Sequence, residues 1–240
     1  SGDDISSTNT FGFDCSGANT TGTKAYKNAF NTLSNTDQYD FNMLITPGIV
    51  HEAHPQVTNA GTILCEDRAD AFYVMDPTLK TTNINLAIST VKDLDTSYAA
   101  AYYPWVLAKS PGALNAQWVP PSVVVPSVLS FTDRIAHPWF APAGLNRGGL
   151  SMVSQTYLKL NQSDRDELYV NRINPIANFP NEGVCIWGQK TLQANPSALD
   201  RVNVRRLLIT VKKFIASATR FLVFEQNTSA TRNRFLSIVN

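Results

Sequence analysis

Chemistry-bearing residues are scarce in this sequence. Among 240 residues there are only 3 cysteines and 3 histidines. Cys15, Cys65 and Cys185 lie far apart, with no Cys-x-x-Cys pair, so neither a zinc site nor a redox motif is indicated, and reduced thiols in an intracellular setting are expected. No apolar run approaches the ~20 residues that cross a bilayer, so membrane insertion is not expected. The glycines form no GxGxxG or GxxxxGK[ST] phosphate cradle, and there is no GxSxG elbow. The opening, SGDDISSTNT, is polar and has neither an initiator Met nor a secretory signal. It reads as a cut or a tag scar, and a fragment of a longer chain is expected.

The few reactive groups do not assemble into a recognisable site. His51-Glu52-Ala53-His54 places its imidazoles three apart, whereas a helical zinc site needs them four apart on one face. A polar strand-to-helix loop is the expectation, at a strand end where open α/β sheets bind ligands. Asp67, Asp70 and Asp76 have no partner at catalytic spacing, so salt bridges or helix-end charges are expected. No catalytic residue, cofactor site or metal site is assigned.

Charge is unevenly placed, although the formal net charge is only +1. Residues 1–100 carry 5 basic and 12 acidic groups, and residues 201–240 carry 8 and 1. Opposite poles suit head-to-tail association of identical subunits. Alternatively, the poles meet inside one fold or face water. In the basic region, Val204, Leu207, Leu208, Val211, Phe214, Ile215 and Ala218 recur at helical spacing and predict a core-facing stripe. Arg205, Arg206, Lys212, Lys213 and Arg220 then fall on rows expected to face away from the core. Those rows lack interleaved exposed aromatics for nucleic-acid binding, which leaves a docking surface or a plain solvated helix face. FLVF at 221–224 predicts a short strand, and Thr228 or Ser229 a cap for a last helix.

Elsewhere the pattern alternates. Helices are predicted over 24–33, 56–67, 83–95, 121–136 and 163–170. Strands are predicted over 41–46 (closed by Pro47-Gly48), 71–77, 99–108 (bent at Pro104), 150–160 and 183–192, with FGF at 11–13 as a possible strand end. This is an α/β pattern with a largely parallel or mixed central sheet flanked by helices. With no repeat or linker, residues 1–240 read as one domain behind a polar lead-in at 1–13. The segment 136–149, rich in Pro, Gly and aromatics, predicts an ordered loop whose rings cap the core or meet another subunit.

Five pieces in order carry a resemblance: SGANTTGTKAYKNAF (16–30), WFAPAGLNRGG (139–149), QSDRDELYVNRINPI (162–176), GVCIWGQKTL (183–192), and DRVNVRRLL with RFLVFEQNTSATRNRF (200–235). Together they resemble the C-terminal region of contractile tail sheath proteins of large, myovirus-type bacteriophages, over about residues 14–240. The resemblance implies a tail-sheath core domain that is a building block and not an enzyme. It also implies that the 136–149 loop packs on the central sheet, with Arg147 near an acidic group. Its implied partners are other sheath subunits in six-fold rings stacked helically, the inner tail tube, and the baseplate and tail terminator proteins, without nucleic acid. Contraction would drive the tube through the host envelope. The implied location is the virion tail, and the host cytoplasm during assembly. Arg205, Arg206, Lys212, Lys213 and Arg220 become candidates for contact with a neighbouring subunit or the tube. The sequence stops before the C-terminal part expected to join a strand mesh between subunits, so this fragment alone is expected to be monomeric. Bacteriocin-type and secretion-type devices share related sheaths. A Rossmann-like enzyme with its ligand near His51, His54 and Asp76 is the alternative of another class, and a nucleic-acid-binding module on the basic helix a third.

Overall fold

Two fully buried strands set the architecture. The computed structural model describes residues 14–239 except 111 and 113; the expectations for 1–13 lie outside the described residues. In chain order the elements are α1 (Thr21–Leu33), β1 (Met43–Val50), α2 (Pro55–Arg68), β2 (Phe72–Asp76) and α3 (Ile84–Val91). Next come β3 (Ala99–Tyr103), β4 (Val106–Ala108), β5 (Gln117–Val119), α4 (Pro121–Ile135) and β6 (Val153–Thr156). The last are α5 (Gln162–Val170), β7 (Ile173–Phe179), β8 (Gly183–Ile186), α6 (Val202–Thr219) and α7 (Ser229–Val239).

Every residue of β2 and β3 is buried, as in strands covered on both faces. Side chains alternate along each strand. Tyr73, Met75, Ala99, Ala101 and Tyr103 enter one hydrophobic cluster with residues of α1, α2, α3 and α5. Phe72, Val74, Ala100 and Tyr102 enter the other, with residues of α4, α6, β4 and β6. The central sheet has the order β1-β2-β3-β7-β8; β4, β5 and β6 make a second, antiparallel sheet. Pairing is parallel from β1 through β7, and β8 is antiparallel. The expected flanked α/β sheet is present.

Helix ends follow local chemistry. Pro55 opens α2, and Ala69 closes it in the left-handed region at φ 53°. The Asn83 side chain accepts from Leu86 N–H at 2.9 Å, and Asn161 with Asp164 forms a capping box on α5. Thr228 Oγ1 accepts from Thr231 N–H at 3.2 Å at the start of α7, as expected.

Four local expectations are corrected. Pro47-Gly48 does not close β1, which runs on to Val50 through an irregularity between Ile45 and Val50, with Gly48 at φ 87°. The predicted strand over 99–108 is two strands in different sheets, because the chain turns at Pro104. The strand β7 was missed because Pro175 argues against a central strand. It is tolerated at a handover: residues 173–175 pair with β3, and 176–179 pair with β8. Finally, 221–224 is not a strand. Arg220–Leu222 is a 3-10 turn continuing from α6, and Phe224 has φ 72°, with no sheet edge for the apolar run to join.

The 136–149 loop does pack on the sheet. Gly144 N–H donates to Ile186 O, Ile186 N–H to Gly148 O and Leu150 N–H to Val184 O, which pairs the outer edge of β8. A side chain at Gly148 would sit 2.8 Å from backbone atoms of Gly144 and Ile186, so only glycine fits. Arg147 departs from expectation: its Nε donates to Ala141 O at 3.0 Å and its guanidinium lies over Phe140, and it makes no ion pair among the described residues.

One buried amide ties the centre together. Asn174 donates to Ala101 O at 3.1 Å and Lys190 O at 2.8 Å, and accepts from Lys190 N–H at 2.6 Å. Asn174→Ala leaves these groups unpaired and should cost about 2–3 kcal/mol. A thermal midpoint lowered by about 5–10 °C is the expected result in a melting scan.

Candidate assembly interface

The helix α6 presents a different face to the body than its apolar periodicity predicts. Its buried residues are Val202, Arg205, Arg206 and Ile209. The expected core stripe is split: Val204, Leu207, Ile215 and Ala218 are half-buried, whereas Leu208 and Val211 are about two-fifths exposed and Phe214 is 60% exposed. Beyond it, Phe221, Val223 and Phe224 are also exposed. Both stripes repeat at helical spacing, so periodicity alone could not choose between them. The inward one wins because long basic side chains lay their stems on apolar surface while their heads find partners.

Those partners belong to the same chain. The Arg205 guanidinium stacks over the Tyr98 ring at 4.0 Å and donates to Ser97 Oγ. Arg206 donates to Asp133 Oδ2 on α4 at 2.5 Å, with the arginine only 8% exposed. Lys212 Nζ donates to Arg68 O at 3.1 Å. Lys213 Nζ donates to Asp40 Oδ1 at 2.6 Å and Phe41 O at 2.7 Å, and lies 3.9 Å from Asp70 Oδ2. This ammonium holds the Asp40 carboxyl below the usual range. Arg220 stays exposed beside Asp37 and Asp40, lining a groove of about 470 Å³. The basic rows expected to face away from the core thus lie against it at Arg205, Arg206 and Lys213, while Lys212 and Arg220 keep exposed surface. Acidic and basic regions of the chain meet inside one fold at Lys213, Asp40 and Asp70. The available signals were the β-branched pair Val202 and Ile209 on the basic side and the surplus of acid in the first hundred residues.

The seat under α6 is itself a knot. Arg68, 5% exposed, makes a two-pronged pair with Asp70 at 2.8 and 2.9 Å. It also donates to Leu33 O at 2.5 Å and Tyr39 O at 2.9 Å, and covers the Phe41 ring. Asp70 is therefore in a salt bridge, as expected, while Asp67 is exposed on α2.

The other candidates take structural places. His51 Nδ1 is 2.6 Å from Thr58 Oγ1, and His54 Nδ1 accepts from Val50 N–H at 3.3 Å. Glu52 accepts from Leu79 N–H at 3.0 Å and Thr82 Oγ1 at 2.6 Å, so 51–54 is a strand-to-helix loop. Asp76 is not in a salt bridge. Its carboxyl, at the end of β2, accepts from Ser122 N–H at 2.8 Å and Ser122 Oγ at 2.5 Å, capping α4. Burial pushes its pKa up to about 7. All three cysteines are buried, and burial pushes the Cys65 thiol up to about 12. Among the described residues no three His, Cys, Asp or Glu side chains converge as a metal site. Nor is any described helix long and apolar enough to cross a membrane.

These features define an α/β module with a partly exposed apolar helix face on α6. The model of the family described as the phage tail sheath protein central domain matches residues 19–192, and the chain belongs to that family; α6 and α7 follow the matched span. The tail sheath protein of Vibrio phage KVP40 is 38% identical over 124 residues, covering 52% of this chain and 18% of the relative. That of Enterobacteria phage T4 is 35% identical over 119 residues, covering 50% and 18%. Among solved structures, the contracted PVC sheath complex of an extracellular contractile injection system superposes with TM-score 0.72 at 27% identity. The match covers 88% of this chain and 56% of that one. The contracted helical sheath of the anti-feeding prophage shares the fold, with TM-score 0.70 at 24% identity, over 88% of this chain and 56% of that one. The chain thus spans less than a quarter of these curated relatives and just over half of these solved ones.

Two outcomes check this geometry. Arg206→Glu sets a carboxylate against Asp133 and should destabilise the fold by on the order of 2–3 kcal/mol in urea unfolding; an unchanged midpoint would place Arg206 in solvent. For Asp76, the unfolded carboxyl ionises near pH 4 while the folded one holds its proton until about 7. Stability therefore falls through this group as pH rises from about 4 to about 7. Asp76→Asn should flatten that decline, and parallel pH profiles for the two proteins would contradict the assignment.

Proposed function

We propose that this chain is the core module of a contractile-sheath subunit, a structural part and not an enzyme. Copies assemble around an inner tube in stacked six-fold rings, and contraction drives the tube through a host envelope. Baseplate and tail terminator proteins bound the stack, and the module belongs to the virion tail after assembly in the host cytoplasm. Family membership supports this reading, and the outward apolar face of α6 is the observation that carries it. A packed body does not leave Leu208, Val211 and Phe214 in a row beside Phe221 and Phe224 unless something covers them. A neighbouring subunit is the cover that a sheath lattice supplies. Arg220, exposed at the rim of that face, is proposed to meet the neighbour or the tube; Lys212, whose Nζ donates to Arg68 O, holds the helix to the body instead. Arg205, Arg206 and Lys213 serve the same contact from beneath, by fixing the helix that presents it.

Negative-stain electron microscopy of the full-length parent protein, alone and with its tube protein, tests the reading. Hollow tubes are expected. Dispersed particles with an intact fold under both conditions would overturn it. In the same parent, replacing Leu208, Val211 and Phe214 with Ser should abolish tubes while leaving the circular dichroism melting curve unchanged. Normal tubes from that variant would move the contact to another surface.

A further inference from the structure

The two halves of α6 are held by different physics. The first half is anchored in the core: Val202 and Ile209 are buried, Arg205 is sandwiched on Tyr98, and Arg206 pairs with Asp133. Beyond Thr210 no residue of the helix is buried. That half is linked to the body by polar contacts: Lys212 Nζ to Arg68 O, and Lys213 Nζ to Asp40 and Phe41 O, with Asp70 at 3.9 Å. Asp40, the nearest carboxylate, is 85% exposed at its side chain. The Arg68–Asp70 knot beneath belongs to the body, where Arg68 binds Leu33 O and Tyr39 O at the end of α1 and in the following loop. The groove between knot and helix is lined by charge on both walls.

We infer that Lys212 and Lys213 form a salt-sensitive clasp that sets the position of the distal half of α6, and of the 220–224 turn it carries, against the body. Ion pairs open to solvent are weak and are screened by salt. Their loss frees a helix end in which no residue beyond Thr210 is fully buried and only Lys213, Ile215, Ala218 and Thr219 are half-buried, while the anchored half and the sheet stay closed, so the clasp is a local joint. Resting on the assembly proposed above, this joint lets the outward apolar face remain docked while the body turns beneath it.

Hydrogen–deuterium exchange on this 240-residue chain reads the joint without requiring assembly. Amides of residues 212–219 should exchange about fivefold faster in 0.5 M than in 0.05 M salt. Lys213→Ala should reproduce that rate at low salt, and Lys213→Arg should restore much of the protection. Amides of 206–209, β2 and β3 should not change in any of these. Equal protection of 212–219 throughout would overturn the clasp. So would acceleration that spreads into 206–209 and the strands, because the pair would then support the whole fold. Neither result bears on whether the parent forms tubes.

Discussion

Burial of both faces of one sheet is the constraint on which the other choices depend. β2 and β3 leave no face for water, so each must be roofed twice. Four helices take one side; α4, α6 and a small antiparallel sheet take the other. The three consecutive alanines of β3 keep the layers close, while Tyr102 and Tyr103 add bulk to opposite faces at its end. This demand brings α6 onto the sheet at all. The roof on that side needs Val202 and Ile209, and the arginines between them must come inward with them.

The alternating helices and strands were legible because each central strand is a short run of apolar residues and each helix has a clear start. Asn83, Asn161, Pro55 and Pro121 mark four of those starts. Less legible was anything fixed by a distant partner. Pro175 reads as a strand breaker until its neighbours are known, and only then does its place between two pairings make sense. FLVF reads as a strand because local propensity cannot tell whether an edge is waiting for it. Asp76 reads as either a salt-bridge or a helix-end carboxylate, and only the fold shows that it is the second, held by Ser122 at the start of α4.

The orientation of α6 is the most instructive case. The rule that apolar residues go inside is one-directional: it says what a core contains, not which stripe of a two-striped helix meets it. Here an arginine paired with aspartate and a second stacked on tyrosine outcompete a row of leucine, valine and phenylalanine. In a chain that stood alone this arrangement would be poor design. Under the assembly proposed above, the polar, partnered groups lie where the chain's own body covers them, and the apolar groups where a neighbour would.

The loop from Gly144 to Leu150 has a wider consequence. By occupying the hydrogen-bonding groups along β8, it removes that edge as a template for another chain's backbone. At the opposite border, Pro47 lacks an amide proton and the strand is irregular from Ile45 to Val50, which discourages pairing there too. Ladders between open sheet edges are a common route to disordered aggregation, which protected edges avoid. Gly148, the residue that permits the close approach, thus protects the β8 border of the central sheet as well as the loop's own fold.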